Sequence, residues 1–243
     1  MKTHCLARTV VLALLAVLIP TLVTAVPAGS RNEGINHLFK GYGLDWLSAG
    51  VYGFQIKRDV ELANVNRTIP VEIQRVTGYL GANLLPWATV YGVGGMNAVK
   101  LGSGGSYAGS EAIYGVGARF ALLDHRVTEP TSEIDRWRLT AGVEYLLTET
   151  RTGNQTWKWQ EINAALTVSV VNDLIRNKFF APESILLYAG PYLSILDGDE
   201  LEGRNAFGAV AGLEIFVNDS VSLDFKMLIL DSVGGGAGIN VHF

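Results

Sequence analysis

The stretch RWRLTAGVEYLLTE, residues 136–149, alternates without a break. Trp137, Leu139, Ala141, Val143, Tyr145 and Leu147 fall on one face, and Arg138, Thr140, Gly142, Glu144, Leu146 and Thr148 on the other. Successive side chains of a strand point to opposite sides, so this is a β-strand whose two faces meet different surroundings. Three more segments repeat the pattern. In EAIYGVGARFAL (111–122), Ala112, Tyr114, Val116, Ala118, Phe120 and Leu122 oppose Glu111, Gly115, Gly117 and Arg119. In NAFGAVAGLEIF (205–216), Phe207, Ala209, Ala211, Leu213 and Ile215 oppose Gly208, Val210, Gly212 and Glu214. In VSLDFKMLI (221–229), Val221, Leu223, Phe225, Met227 and Ile229 oppose Ser222, Asp224, Lys226 and Leu228.

Working outward from these, the chain from Trp46 onward reads as alternating runs broken by Gly, Asn, Asp and Pro clusters. About ten strands result, with eight to twelve compatible with the pattern, in a single all-β antiparallel up-and-down domain. They lie near 46–60, 71–84, 88–100, 111–122, 136–149, 156–171, 184–196, 205–217, 221–231 and 236–243. Two fit less well. The first mixes both faces, and TWKWQEINAALTVSVV (156–171) changes phase near Gln160, as a bulge would make it do.

The first residues read differently. MKTHCLART carries Lys2 and Arg8 and no acid, an apolar run follows, and Val23-Thr24-Ala25 offers the small residues of a cleavage site. This is the order of a secretory signal, so residues 1–25 are expected to be removed. The rival, an uncleaved anchor, is disfavoured because the run is short of the ~20 residues a spanning helix needs and Pro20 interrupts it. The single cysteine, Cys5, precedes the apolar run, which argues against a lipoprotein and leaves no disulfide. Loss of Lys2 and Arg8 lowers the basic count from 19 to 17 against 23 acidic residues, a net charge of about −6. No clustered Lys and Arg suggest a nucleic-acid partner. Residues 26–43 are expected to form a periplasmic lead-in, and 44–243 the barrel.

An exported chain that is 49% hydrophobic with 28 glycines, and has no other long apolar run, is either a soluble β domain or a membrane barrel. The minority face decides. It carries Arg75, Arg119, Arg138 and Lys226 against Glu111, Glu144, Glu161, Glu214 and Asp224, among glycines and threonines. A solvated face would be rich in Lys and Glu and poor in glycine. Balanced charge with glycine suits the interior of a narrow barrel, where opposite charges pair, so these nine residues are the expected lumen network. Interfacial aromatics are expected at Trp87, Phe120, Trp137 and Phe243 on one rim, with Trp157, Trp159 and Phe207 toward the other. Residues 61–70, 101–109, 150–155, 197–204 and 232–235 would then form the outer connections, and 85–87, 123–135, 172–183 and 218–220 the periplasmic ones. Two of the latter are long for periplasmic turns.

The chain ends in GGGAGINVHF (234–243), where Ala237, Ile239, Val241 and Phe243 share a face with Gly238, Asn240 and His242 between them. With this ending, residues 44–243 resemble the small bacterial outer-membrane β-barrel proteins of the broad OmpA/OmpX-like group. The resemblance implies an outer-membrane location, lipid and the barrel-assembly machinery as partners, and Ile239, Val241 and Phe243 as the assembly signal. It does not select a function, because such barrels are structural, adhesive, channel-forming or enzymatic.

Residue chemistry points away from catalysis and from any cofactor or bound metal. His37, His125 and His242 share no motif, and neither HExxH nor GxSxG occurs. Asp197, Asp199, Glu200 and Glu202 in LDGDELEG lack the ligand spacing of a calcium loop and read as a solvated turn. The expected function is therefore a non-enzymatic barrel with a plugged, charge-paired lumen, in a structural or surface-interacting role with no ligand specified. The alternatives are a narrow channel for small solutes and a lipid- or peptide-modifying barrel enzyme.

Overall fold

A computed structural model describes residues 47–62, 67–85, 87–102, 107, 111–127, 136–152, 155–173, 184–198, 201–203, 206–218 and 221–242. The expected signal segment, the lead-in and Phe243 lie outside the described residues. Among the described residues eleven strands form: β1 (Leu47–Leu62), β2 (Arg67–Leu85), β3 (Ala88–Leu101), β4 (Glu111–Arg126), β5 (Arg136–Thr152), β6 (Gln155–Asp173), β7 (Ser184–Gly198), β8 (Leu201–Gly203), β9 (Phe207–Asn218), β10 (Val221–Ile229) and β11 (Val233–His242). Ten of them make the wall. Each pairs antiparallel with its neighbours in the order β1 to β7, then β9, β10 and β11, and β11 pairs back onto β1 from Ser48↔His242 to Gln55↔Gly235. The fold is a closed antiparallel barrel, and closure leaves the wall without an open edge.

Every expected strand is present, and most run further than their alternation suggested. The difference has one cause, which also accounts for both irregular strands. On β2 the outward residues Val76, Leu80 and Leu84 are exposed and apolar, while Arg75 points in. Higher on the same strand the faces exchange character: Val71 and Ile73 are buried inside, and Gln74 and Glu72 face out. β1 does the same, with Val51 exposed below and Lys57 exposed above, where Ile56 and Val60 are buried. The ends of these strands project beyond an apolar belt as a collar whose inside is the dry side.

β6 is therefore continuous through Gln160, with no break in its register against β5. The apparent phase change marks the level where the inward residues become tryptophans. Register shifts occur instead at Asn83/Leu85, Ala121/Leu123 and Val221/Ser222, all near the end of the barrel that carries the chain termini. On β5 the outward apolar run from Trp137 to Leu147 covers about 33 Å of strand at ~3.3 Å per residue. A tilt of about 40° reduces this to a belt about 25 Å tall, the height typical of membrane barrels.

β8 is the unexpected element. It lies in the connection between β7 and β9, within the segment read as a solvated turn, yet Leu201–Gly203 pairs with Leu62–Val60 of β1. It also meets β7 at Asp197↔Glu202. The wall strands between those two partners are short: β9 has 12 residues, β10 nine and β11 ten, against 16 in β1 and 15 in β7. β8 passes over the short strands and closes the collar above them.

Candidate functional site

The lumen is the candidate site, and it is built in layers from the loop end to the terminal end. Inside the collar, Val60, Val71, Ile73, Val99, Trp159, Leu196 and Leu201 form a buried apolar cluster, with Leu62, Ile69, Leu101 and Trp157 packed against it. This corrects the expected placement of Trp157 and Trp159 as interfacial aromatics. Both lie on inward positions of β6 and fill the collar, and Trp159 is only 4% exposed. Side chains that looked suited to a membrane interface serve as core because the interior at that level is apolar.

Directly beneath, two polar chords cross the barrel. Arg75 of β2 makes a two-pronged contact with Glu161 of β6, donating from Nη1 to Oε2 at 3.0 Å and from Nη2 to Oε1. Trp159 adds an Nε1–H bond to Glu161 Oε1 at 2.9 Å. Arg58 of β1 donates to Ser194 Oγ of β7 at 3.0 Å. β1 and β2 are neighbours, as are β6 and β7, so the chords run side by side from one wall to the other. Arg58, Arg75, Glu161 and Ser194 are all buried. A charge withdrawn from water is tolerated when its partner supplies matched hydrogen bonds, and the Arg75–Glu161 geometry does this.

Below the chords the interior is mixed. Glu144 accepts from Asn163 Nδ2 at 3.5 Å. Ile56, Val210 and Leu228 form a second apolar cluster against Phe54, Tyr188 and Tyr192. Next comes a ring of tyrosines laid flat on the wall. Tyr52 lies over Gly238, its direct cross-strand partner, and Tyr91 over Gly117. Any Cβ at those glycines would strike the ring, so the small residue is what lets the aromatic lie flat. Tyr52 and Tyr79 both donate to Asn240 Oδ1, at 2.7 and 3.0 Å. Tyr188 donates to Asp224 Oδ1 at 2.9 Å, and Lys226 stands 5.5 Å above the Tyr52 ring and 3.9 Å from Asp224 Oδ2.

Arg119 points into the same chamber, among Tyr91, Tyr52, Tyr79 and Glu214. It is more exposed than the sealed residues of the two chords. Near the terminal end, Glu214 Oε1 accepts from Ser222 Oγ at 2.6 Å and from Asn240 Nδ2 at 3.3 Å. Asp124 pairs with Arg138 Nε at 3.0 Å and with Arg136 Nε at 3.6 Å.

The nine expected lumen residues all take inward positions, but they do not form one network. Arg75 joins Glu161, Lys226 joins Asp224, and Arg138 finds Asp124. Glu144, Glu214 and Arg119 sit among amides, hydroxyls and phenols. Glu111 opens β4 opposite Asn97, apart from these pairs. Sequence reading missed Arg58, which lies in the strand of mixed faces, and Asp124. The latter fell in the expected connection 123–135, whereas β4 runs on to Arg126 past a bulge that re-aims the carboxylate inward. On the outer surface, Trp87 packs against Phe120 with centroids 6.3 Å apart, and Trp137 meets His125 edge-on at 6.0 Å. Phe207 is 81% exposed at the opposite end of the belt. Ile239 and Val241 also face outward, as expected.

No protein-family model matches the chain, and no curated protein is similar to it in sequence. Among solved structures, LpxR from Salmonella typhimurium is similar at TM-score 0.39 and 9% identity, covering 81% of this chain and 99% of that one. The beta domain of the Bordetella autotransporter BrkA is similar at TM-score 0.36 and 12% identity, with the same coverages. The translocator domain of the autotransporter NalP from Neisseria meningitidis follows at TM-score 0.33 and 10% identity, covering 84% of this chain and 91% of that chain. The likeness is loose, and the closed barrel stands on the chain's own strand pairing.

Proposed function

We propose that this chain is an integral β-barrel of the bacterial outer membrane, of the broad OmpA/OmpX-like kind. Its role in this reading is non-enzymatic, structural or surface-interacting, with the collar outside the cell and the terminal end toward the periplasm. The observation that carries it is the closed lumen, where the apolar cluster of the collar rests on the Arg58–Ser194 and Arg75–Glu161 chords. The apolar belt supports the location, since Val76, Leu80, Val116, Leu187, Phe225 and Ile239 are exposed around the wall. Barrels of about eight strands are just filled by their side chains, and ten-stranded ones remain narrow. The protein, refolded into planar lipid bilayers, is expected to show no steady, sized conductance steps at neutral pH. Steady steps would refute the closed lumen.

A narrow channel is the second reading, and Arg119 favours it, because it is more exposed than the sealed residues of the two chords. The same recording separates the two. For assembly, deletion of Phe243 is expected to lower the yield of inserted, heat-modifiable barrel in cells several-fold, with Ile239 and Val241 as supporting parts of the signal. Normal insertion of that variant, scored by gel mobility with and without boiling, would remove Phe243 from it.

A further inference from the structure

We propose that β8 is a releasable strap: docked, it completes the plug, and swung out, it opens the lumen to small hydrophilic solutes. The inference rests on the closed-lumen reading above and adds the part that moves. β8 is three residues long and is held by short pairings, three residue pairs with the sequence-distant β1 on one side and a single pair with β7 on the other. It nevertheless supplies Leu201 to the collar cluster, beside Leu196 and Trp159. Gly203 lies against Arg58, where a Cβ would meet the guanidinium, so the strap also covers one of the two chords. Withdrawal of β8 would remove an apolar side from the plug and uncover Arg58 at once.

The outer face of the strap opposes its docking. Glu202 lies directly opposite Glu61 on β1 and Asp197 on β7, which sets three carboxylates in a row across adjacent strands. Like charges at directly opposed positions destabilise strand pairing. Among the described residues, the two lysines of this face pair elsewhere. Lys57 of β1 is taken by Glu72 of β2 at 3.7 Å, and Lys158 of β6 by Glu149 of β5 at 3.2 Å. Asp59 lies two residues along from Glu61, with its backbone N–H bonded to Asp231 at 2.9 Å, and Arg67 stands opposite Leu62 at the rim. Asp197 accepts an amide hydrogen bond from Gln160 Nε2 at 3.0 Å, which holds it in place without cancelling its charge. Removal of one charge from the row is therefore expected to seat the strap more firmly.

A cross-strand disulfide tests this directly. Residues paired directly across an antiparallel ladder have Cα atoms about 4.5–5.5 Å apart, within disulfide reach. In a Cys5→Ser background, Leu62→Cys/Leu201→Cys, a directly paired position that keeps the carboxylate row, is refolded into planar bilayers and recorded oxidised and then reduced, with heat modifiability confirming the fold. Reduction is expected to raise the open probability by about tenfold or more, as release of a minor state would. Iodide quenching of tryptophan should rise with it, because Trp157 and Trp159 lie in the cluster that Leu201 covers. At one fixed pH, Glu202→Gln, which removes the central charge of the row, is expected to lower the rare openings of the native chain several-fold; unchanged or more frequent openings would count against the strap. Closed records and unchanged quenching in both redox states would overturn the strap and leave the closed-lumen reading standing. Steady conductance with the disulfide formed would overturn both.

Discussion

Glu161→Ala is expected to destabilise the folded barrel by about 3–5 kcal/mol, the cost of leaving one member of a buried ion pair alone. Glu161 is 1% exposed and receives both Arg75 N–H groups and the Trp159 indole N–H. Alanine leaves that guanidinium facing an apolar cluster and an unfilled gap. The measurement is the guanidinium chloride midpoint of the refolded barrel in lipid vesicles, followed by gel shift. The paired replacement Arg75→Met/Glu161→Met is expected to lie close to the native midpoint, because burying neither charge avoids both desolvation costs. A single variant as stable as the native chain would mean that water enters at this level, and the two-chord seal would have to be abandoned.

Trp159→Ala should cost a similar amount, about 3–5 kcal/mol, for a different reason. Truncating a buried indole leaves a cavity that the closed collar cannot collapse to fill. Trp137→Ala is the control. Trp137 is 39% exposed on the outer face, where lipid can occupy the vacated space, so its loss is expected to cost clearly less. The comparison separates the two positions that residue type alone places together, since both tryptophans have the chemistry of an interfacial anchor. Equal effects would return Trp159 to the surface and remove the apolar plug with it.

Both expectations depend on a level in the barrel, and level is what the alternation does not carry. Period two reports which residues share a face, and it did so correctly for Trp137 to Leu147, for the β9 and β10 faces and for Ile239 and Val241. It does not report which face is dry. In TWKWQEIN the outward residues are Lys158 and Gln160 and the inward ones Trp157, Trp159 and Glu161, the reverse of the lower wall. Read with one fixed polarity, that reversal imitates a bulge. Lumen partners were legible as a set of inward charges and not as pairs. Arg138 finds Asp124 only because β4 continues past a bulge.

By itself, then, the sequence determined the class of fold, a wall of about ten strands and the inward or outward side of most residues, because these follow from local chain geometry and a repeat of two. The tertiary structure decided the rest. Arg75 and Glu161 are 86 residues apart, and Arg58 and Ser194 are 136 apart. They meet because closure of β11 onto β1 fixes which wall positions face each other across the lumen. β9, β10 and β11 are shorter than β1 and β7 and leave a gap in the collar above them. At that gap Leu201–Gly203, the end of the acidic segment LDGDELEG, finds strand partners in β1 and β7 that are not evident from its own sequence.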